Sequence, residues 1–361
     1  MLFDAKRNAL YARAIRELVT PDSVVLDLGA GMGLHGLLAA AAGARHVYLV
    51  EPEPVLHAAA EVARANGLAG RITLLQDRIE DVRLPQPVDL IVSVFTGNLL
   101  FSEDLLPSLF HARDHWLKPG GRLLPDRAEL HLAPLHAPEL HAEHVARWSE
   151  PVMDLDYGSA RRFAANELLW LPRNELTGTQ QLAEGVVLAD VDLASASHAD
   201  CKGAAACRIV QPGLCHGLLA WIRIRLLDDW LSTDPATDVH WRPVLMPLDP
   251  PLPLEQGEDL HIALERPAWG DWTWSARARA GSRRHSTFLS SSETLADLRR
   301  LAPSSRPGLG QEGEQSLRIL QGLQQGLSNR EIADALAADG TDAAQALVRV
   351  QAVARKYGRR G

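Results

Sequence analysis

Residues 24–33 read Val24-Val25-Leu26-Asp27-Leu28-Gly29-Ala30-Gly31-Met32-Gly33, an apolar run that empties into three glycines. A short apolar run without alternation reads as a strand buried on both faces of a parallel sheet. The alanine-rich stretch Leu34 to Ala42 then reads as a helix stopped by Gly43. Glycines let a backbone adopt positive φ and come close to a ligand. A second strand, His46 to Val50, ends at Glu51, eighteen residues past Gly33, where a carboxylate can accept from ribose hydroxyls. Strand, glycine loop, helix and second strand together predict an adenosine-bearing cofactor at the C-terminal edge of a parallel sheet.

Two cofactors fit that loop. Gly31-Met32-Gly33-Leu34-His35-Gly36 matches the dinucleotide pattern GxGxxG. Asp27, two residues before Gly29, separates them. A carboxylate there repels a pyrophosphate and attracts the ammonium of S-adenosyl-L-methionine, which is therefore the expected cofactor. Ile79 and Glu80 follow the third strand, Ile72 to Leu75, at the height of the adenine.

Outward from the loop, residues 1–127 alternate helix and strand, with helices at Leu10 to Val19, Val55 to Asn66 and Leu105 to Leu117 and a strand at Leu90 to Phe95. That is the pattern of an α/β, Rossmann-like domain. From 128 to 292 short alternating strands and prolines predict an antiparallel β domain, with helical periodicity only at 139–148 and 159–170. Residues 293–313 read as a Pro/Gly-rich linker and 314–361 as a small helical domain. The chain of 361 residues carries 45 acids against 37 bases, a net charge of −8, which argues against nucleic-acid or anionic-membrane binding by the whole protein. No apolar run is long enough to span a bilayer and no charged-then-apolar leader follows Met1. Three cysteines, Cys201, Cys207 and Cys215, without CxxC spacing point to reduced thiols and a cytoplasmic setting.

Taken jointly, the motifs resemble the protein arginine methyltransferases, from Met1 to about residue 290. Met1-Leu2-Phe3-Asp4, Arg7 and Tyr11 resemble that family's entry helix. Asp27 to Gly33 and Val50-Glu51 match its cofactor motifs. Ala112 to Gly121, followed by Leu124 to Ala128, is similar to its crossing into the second domain. His216 to Trp221 resembles one of its barrel strands, and Val239-His240-Trp241 its Thr-His-Trp loop. The resemblance implies a class I methyltransferase domain, an antiparallel β-barrel carrying a helical dimerisation arm (residues 157–176), and a homodimer. It implies that Gly29, Gly31 and Gly33 cradle the cofactor, Arg7 pairs its carboxylate, Glu51 holds the ribose, and Ile79 and Glu80 meet the adenine. Asp4 and His240 become a dyad beside the substrate, with Trp241 at the acceptor.

Two departures stand out. The family's loop carries two glutamates spaced as Val94 and Glu103 are here, and they clamp the guanidinium. Glu103 matches the second, while Val94 occupies the place of the first. Removing one partner of a buried charge costs ~3–5 kcal/mol. The expected acceptor therefore shifts from an arginine of a protein towards a less charged nitrogen of a peptide or small molecule, unless Asp104 supplies the second carboxylate. Second, the family's Tyr-containing helix has no counterpart before Met1, so the cofactor's lid is expected to be absent or to come from elsewhere.

Competing readings are a cofactor-binding scaffold without catalysis, which the presence of Asp4, Glu103 and His240 opposes, and a regulator acting through the tail. Ser328 with Glu331 three residues on is a capping box opening a helix that resembles the first helix of LuxR-type DNA-binding domains. Asp342 and alanines stand where base-reading residues belong. The tail also resembles the helical end of peptide-binding chaperone domains, so a peptide or partner is a better ligand for it than DNA. Its apolar positions Leu317, Leu320, Leu323, Ile332, Leu336, Leu347 and Val350 are expected to pack on the chain itself. His131, His136, His141 and His144 lack the spacing of a metal site, so no metal is expected. Trp272 and Trp274 share strand parity and are expected in the core.

Overall fold

The structure is a computed structural model that describes residues 1–97, 99–289, 309, 311–338 and 342–357. The chain divides into two units, Met1–Ser292 and Glu293–Gly361. Of the expected linker, 293–308 and 310 lie outside the described residues, and 311–313 are already helical.

In the first unit, β1 (Val24–Leu28) is the middle strand of a parallel sheet ordered β3-β2-β1-β4-β5. Its partners are β2 (His46–Val50), β3 (Ile72–Leu75), β4 (Val88–Ser93) and β5 (Leu117–Leu124). All five β1 residues are buried, which explains a run that is apolar apart from Asp27. The helices are α1 (Ala5–Leu18), α2 (Leu34–Ala41), α3 (Leu56–Ala65) and α4 (Leu106–Trp116). The chain winds outward from β1 through β2 to β3 and then returns to β4 on β1's other side. That reversal opens a crevice at the strands' C-terminal ends. Tyr11 of α1 is fully buried and donates to the Ser93 carbonyl at 2.9 Å, tying the entry helix to the end of β4.

The rest of the unit forms two antiparallel sheets. One has the order β7-β13-β11-β6-β8, with β9 and β12 attached. The other has the order β10-β14-β15-β16. The strands are β6 (Arg127–His136), β7 (Leu169–Trp170), β8 (Gln180–Gln181), β9 (Val186–Asp192), β10 (Cys201–Arg208) and β11 (Gly213–Leu226). β12 (Asp229–Ser232), β13 (Val244–Leu254), β14 (Asp259–Arg266), β15 (Thr273–Ala278) and β16 (Gly281–Ser286) follow. Among the described residues no ladder joins the two sheets, so the expected barrel stands as a pair of sheets. One apolar core runs from Tyr11 and Leu26 through Leu132 and Cys215 to Trp274. Trp272 and Trp274 are in it, and the Trp274 indole donates to the Pro247 carbonyl at 2.8 Å.

The helix expected over 139–148 is α5 (Pro138–His144) with a 3₁₀ turn after it. The helix expected over 159–170 shrinks to one turn, α6 (Arg161–Ala164). Asn166 bonds the Arg162 carbonyl and the Ser286 amide, and Trp170 pairs with Val244 of β13, so tertiary bonds override the local periodicity.

The second unit holds α7 (Gln311–Gln324), α8 (Asn329–Ala338) and α9 (Ala343–Tyr357). Ser328 and Glu331 make the capping box, with Ser328 N–H donating to Glu331 Oε2 at 2.8 Å. Asp342 caps α9, accepting from the Ala344 and Gln345 amides at 3.1 and 3.0 Å. Ile332, Leu336 and Val350 turn inward as expected, joined by Ile319 and Ala346, whereas Leu317, Leu320 and Leu347 are exposed. The inward stripe of α7 therefore runs through Ile319 and Leu323, four residues apart. No helix among the described residues is long and apolar enough to cross a membrane.

Candidate active site

The glycine loop caps the crevice. Gly29 (φ +71°) and Gly33 (φ +79°) are left-handed, and a Cβ on Gly29 would stand 2.2 Å from the Phe95 ring. Gly31 N–H donates to Glu51 Oε2 at 3.0 Å, so the second strand's carboxylate lies against the loop. Asp27 is buried, and its Oδ2 accepts the Gly36 N–H at 2.7 Å. Burial, opposed by that hydrogen bond and assisted by the Glu51 charge, pushes its carboxyl up to about 7. Ile79 is buried, while Glu80 is half-buried and accepts from the Ser108 hydroxyl of α4.

Arg7 is 2% exposed. Its guanidinium donates to the Met1 carbonyl at 2.7 Å and to Asn8 Oδ1 at 3.0 Å, and lies 5.2 Å above the Trp241 ring. No carboxylate pairs with it among the described residues, and burial presses its pKa below the ordinary guanidinium value. A buried cation without a carboxylate, a carboxylate on a glycine cradle and a second, buried acid form the charge set that an amino acid joined to adenosine requires. The residues present fit S-adenosylmethionine.

A cleft of about 440 Å³ opens nearby, lined by Ser102, Glu103, Trp170, His240 and Arg242. Chain segments distant in sequence thus bring Glu103 and His240 to one space. Asp4 is split between two tasks. Its Oδ1 accepts from the Arg7 amide at 3.1 Å, capping α1, and its Oδ2 accepts from the His240 amide at 2.8 Å. The expected dyad is therefore made through the His240 main chain and not its ring. Desolvation, with the positive charges of the chain's amino group, Arg7 and Arg242, lowers the imidazole's pKa. The ring is neutral at pH 7 and able to accept a proton.

Trp241, expected at the acceptor, is 3% exposed and does not line the cleft. It is a strut between Arg7 and the loop after β4. A Cβ on Gly97 would stand 2.3 Å from its indole nitrogen, so that loop position requires glycine. Val94 is half-buried against the core and offers no polar group. Asp104 is not available in its place. It makes a two-pronged ion pair with Arg266 at 2.8 and 2.6 Å and accepts the Trp269 amide at 2.8 Å. Those bonds hold its carboxyl below the usual range.

Two contributors escape sequence reading. Trp170 supplies an aromatic wall of the cleft. Arg173, three residues on, donates to the carbonyls of Val239, Trp241 and Thr233 at 2.6, 2.8 and 3.3 Å, clasping the loop that carries His240. Neither has a local signature, because both act across long sequence separations.

The histidines make separate hydrogen bonds, although the His136 and His141 rings stand 4.9 and 5.5 Å from the His216 ring. His131 bonds Glu129 and stacks on Trp221, His136 bonds the Leu214 carbonyl, and His141 lies 3.3 Å from Asp249. No cluster of three or more metal-type ligands occurs among the described residues. The three cysteines are buried and unpaired.

A methyltransferase-domain family model matches residues 25–121. Protein arginine N-methyltransferase 1.1 of Arabidopsis thaliana is 32% identical over 272 residues, covering 72% of this chain and 68% of that protein. Protein arginine N-methyltransferase 6 of Xenopus laevis is 31% identical over 273 residues, covering 72% of this chain and 80% of that protein. Among solved structures, the Trypanosoma brucei PRMT1 enzyme-prozyme heterotetrameric complex with AdoHcy shares the fold with a TM-score of 0.69 at 24% identity, over 79% of this chain and 96% of that one. With relatives of this identity matched over two thirds or more of their length, the chain belongs to the protein arginine N-methyltransferase family and is an S-adenosylmethionine-dependent methyltransferase.

Proposed function

We propose that the acceptor is an arginine side chain of a protein or peptide, and that Glu103 and His240 carry the reaction. The shared cleft of Glu103 and His240 is the observation that supports this most. Arg7 would pair the cofactor's carboxylate, Asp27 would face its ammonium, Glu51 would take the ribose hydroxyls, and Ile79 with Glu80 would meet the adenine. When bound, S-adenosylmethionine supplies a methyl group on a sulfonium. Glu103 accepts N–H bonds from the guanidinium and turns one nitrogen towards that methyl. His240, neutral, held by Asp4 at its own amide and by Arg173 at the carbonyls of its neighbours Val239 and Trp241, takes the proton the nitrogen sheds. The transfer is an in-line displacement, so positioning supplies most of the rate.

Val94 favours a second reading. With an apolar side chain there and Asp104 tied to Arg266, one edge of a guanidinium lacks a carboxylate, which suits a less charged nitrogen. The two readings differ in one experiment. On the arginine reading, Val94→Glu raises kcat/KM on arginine peptides by about tenfold or more, the scale of one restored charge-assisted pair. On the second reading, the substitution leaves arginine peptides inert, and wild type labels a neutral nitrogen nucleophile faster than arginine.

A homodimer is part of the proposal. Residues 148–157 present Trp148, Val152, Met153, Leu155 and Tyr157 to solvent, with Met153 92% exposed. An apolar surface of this kind is a partner surface. Met153→Asp should convert a dimer to a monomer in sedimentation velocity. An unchanged sedimentation coefficient would refute this interface.

A further inference from the structure

We propose that the outer face of the β10-β14-β15-β16 sheet is a docking site for an acidic peptide segment of a partner protein. This face shares no residue with the cleft of Glu103 and His240. Its ladder registers align Ala206, His261, Arg277 and Ser282 in one row and Ala204, Ala263, Ser275 and Arg284 in the next. Directly opposed residues point to the same side of a sheet. The other side of these strands, with Ile262, Leu264 and Trp274, is core, so both rows face outward.

The middle of the face is built from alanine and serine, where exposed strands ordinarily carry larger β-branched or polar residues. The small side chains leave a hollow of about 610 Å³ over β14, β15 and β16. It continues into a second hollow of about 440 Å³, and both include His261 and Arg277. A peptide can therefore lie close to the sheet.

The charges on the face are unevenly matched. Asp259 is paired with Arg208 at 3.1 Å, and Glu265 with Lys202 at 3.9 Å. At the rim, Arg279 stands 3.6 Å from Glu255, while Glu258 is buried and accepts the amides of Glu255 and Arg279. Among the described residues this leaves Arg277 and Arg284, both exposed, without a carboxylate partner. They stand diagonally across β15 and β16, since Arg277 opposes Ser282 and Arg284 opposes Ser275. Diagonal positions are ~7–8 Å apart, so the two guanidinium groups repel each other unless an anion sits between them. Guanidinium binds carboxylates through two parallel hydrogen bonds, the strongest form of that contact. On a chain of net charge −8, an acidic segment is repelled by most of the surface and drawn to this face.

The occupant is a peptide and not a nucleic acid. Asp259 and Glu265 lie on β14, beside the arginines, and a phosphate backbone crossing the face would meet one of them. Nucleic-acid affinity grows with the number of phosphates neutralised, and two arginines neutralise few. A peptide can place neutral residues over Asp259 and Glu265 and carboxylates over Arg277 and Arg284.

The test uses the full chain and a fluorescein-labelled peptide of alternating Glu and Ala, read by fluorescence anisotropy. Wild type should bind it saturably and release it as salt is raised. The double variant Arg277→Ser/Arg284→Ser should bind at least tenfold more weakly with an unchanged circular-dichroism melt, since both side chains are exposed. No saturable binding by wild type, or equal binding by the double variant, would overturn the proposal. So would tighter binding of an oligothymidylate than of the peptide through the same two arginines.

Discussion

Glu103→Gln should lower the rate of methyl transfer by ~10²–10³-fold while leaving S-adenosylhomocysteine affinity within about twofold. Glu103 is exposed in the open cleft, so the magnitude is that of a guanidinium desolvated only once the acceptor covers it, ~3–5 kcal/mol. Among the described residues, neither Val94 nor Asp104 compensates. Val94 is apolar, and Asp104, next in sequence, is committed to Arg266 through two hydrogen bonds and to the Trp269 amide. Single-turnover kinetics with labelled cofactor, alongside calorimetry with S-adenosylhomocysteine, separate the two quantities. A rate within tenfold of wild type would mean that the acceptor does not rest on Glu103.

Asp27→Asn should have two large and opposite effects. The Asp27 carboxyl is raised from 3.8 to about 7 by burial. The folded chain therefore holds a proton there that the unfolded chain has lost, throughout the interval between those values. That protonation stabilises the fold fully at acid pH, and the stabilisation is lost as pH rises through about 7. The change is on the order of 4 kcal/mol. The variant cannot ionise, so without ligand it should be more stable than wild type above pH 7 and show a flatter stability profile. Cofactor binding should run the other way. The ammonium and sulfonium favour the ionised carboxylate, so wild-type affinity for S-adenosylmethionine should rise between pH 6 and pH 8, and the variant should bind weakly at both. Urea melts across this range, with calorimetry in buffers of different ionisation heat, check both effects. Parallel stability profiles for wild type and variant would contradict the raised carboxyl.

The sequence is most legible where local pattern and tertiary position agree. β1 reads directly because a middle parallel strand is apolar on both sides, and its glycine loop because positive φ selects glycine at Gly29 and Gly33. The Ser328–Glu331 capping box is equally local. The substrate side is less legible. Asp4 and His240 lie 236 residues apart, and only the resemblance to a family joined them. Even then their contact runs through a backbone amide, which side-chain identity does not reveal. In sequence Asp104 looks like a spare carboxylate because its partner, Arg266, is 162 residues away. The one-turn α6 reads as a longer helix in sequence because Asn166 and Trp170 take tertiary partners that a helical wheel does not contain. In the tail, both faces of α7 carry leucines, and only packing shows that Ile319 and Leu323 are inside.

Tandem mass spectrometry on an arginine-containing peptide, incubated with the full chain and S-adenosylmethionine carrying a deuterated methyl group, tests the central claim most directly. The fragment ions should place the label on an arginine side chain with wild type, and Glu103→Gln should form the same product at least about a hundredfold more slowly, as the buried-charge cost implies. Label on another nucleophile while every arginine stays unmodified, or label on arginine that survives Glu103→Gln undiminished, would contradict it.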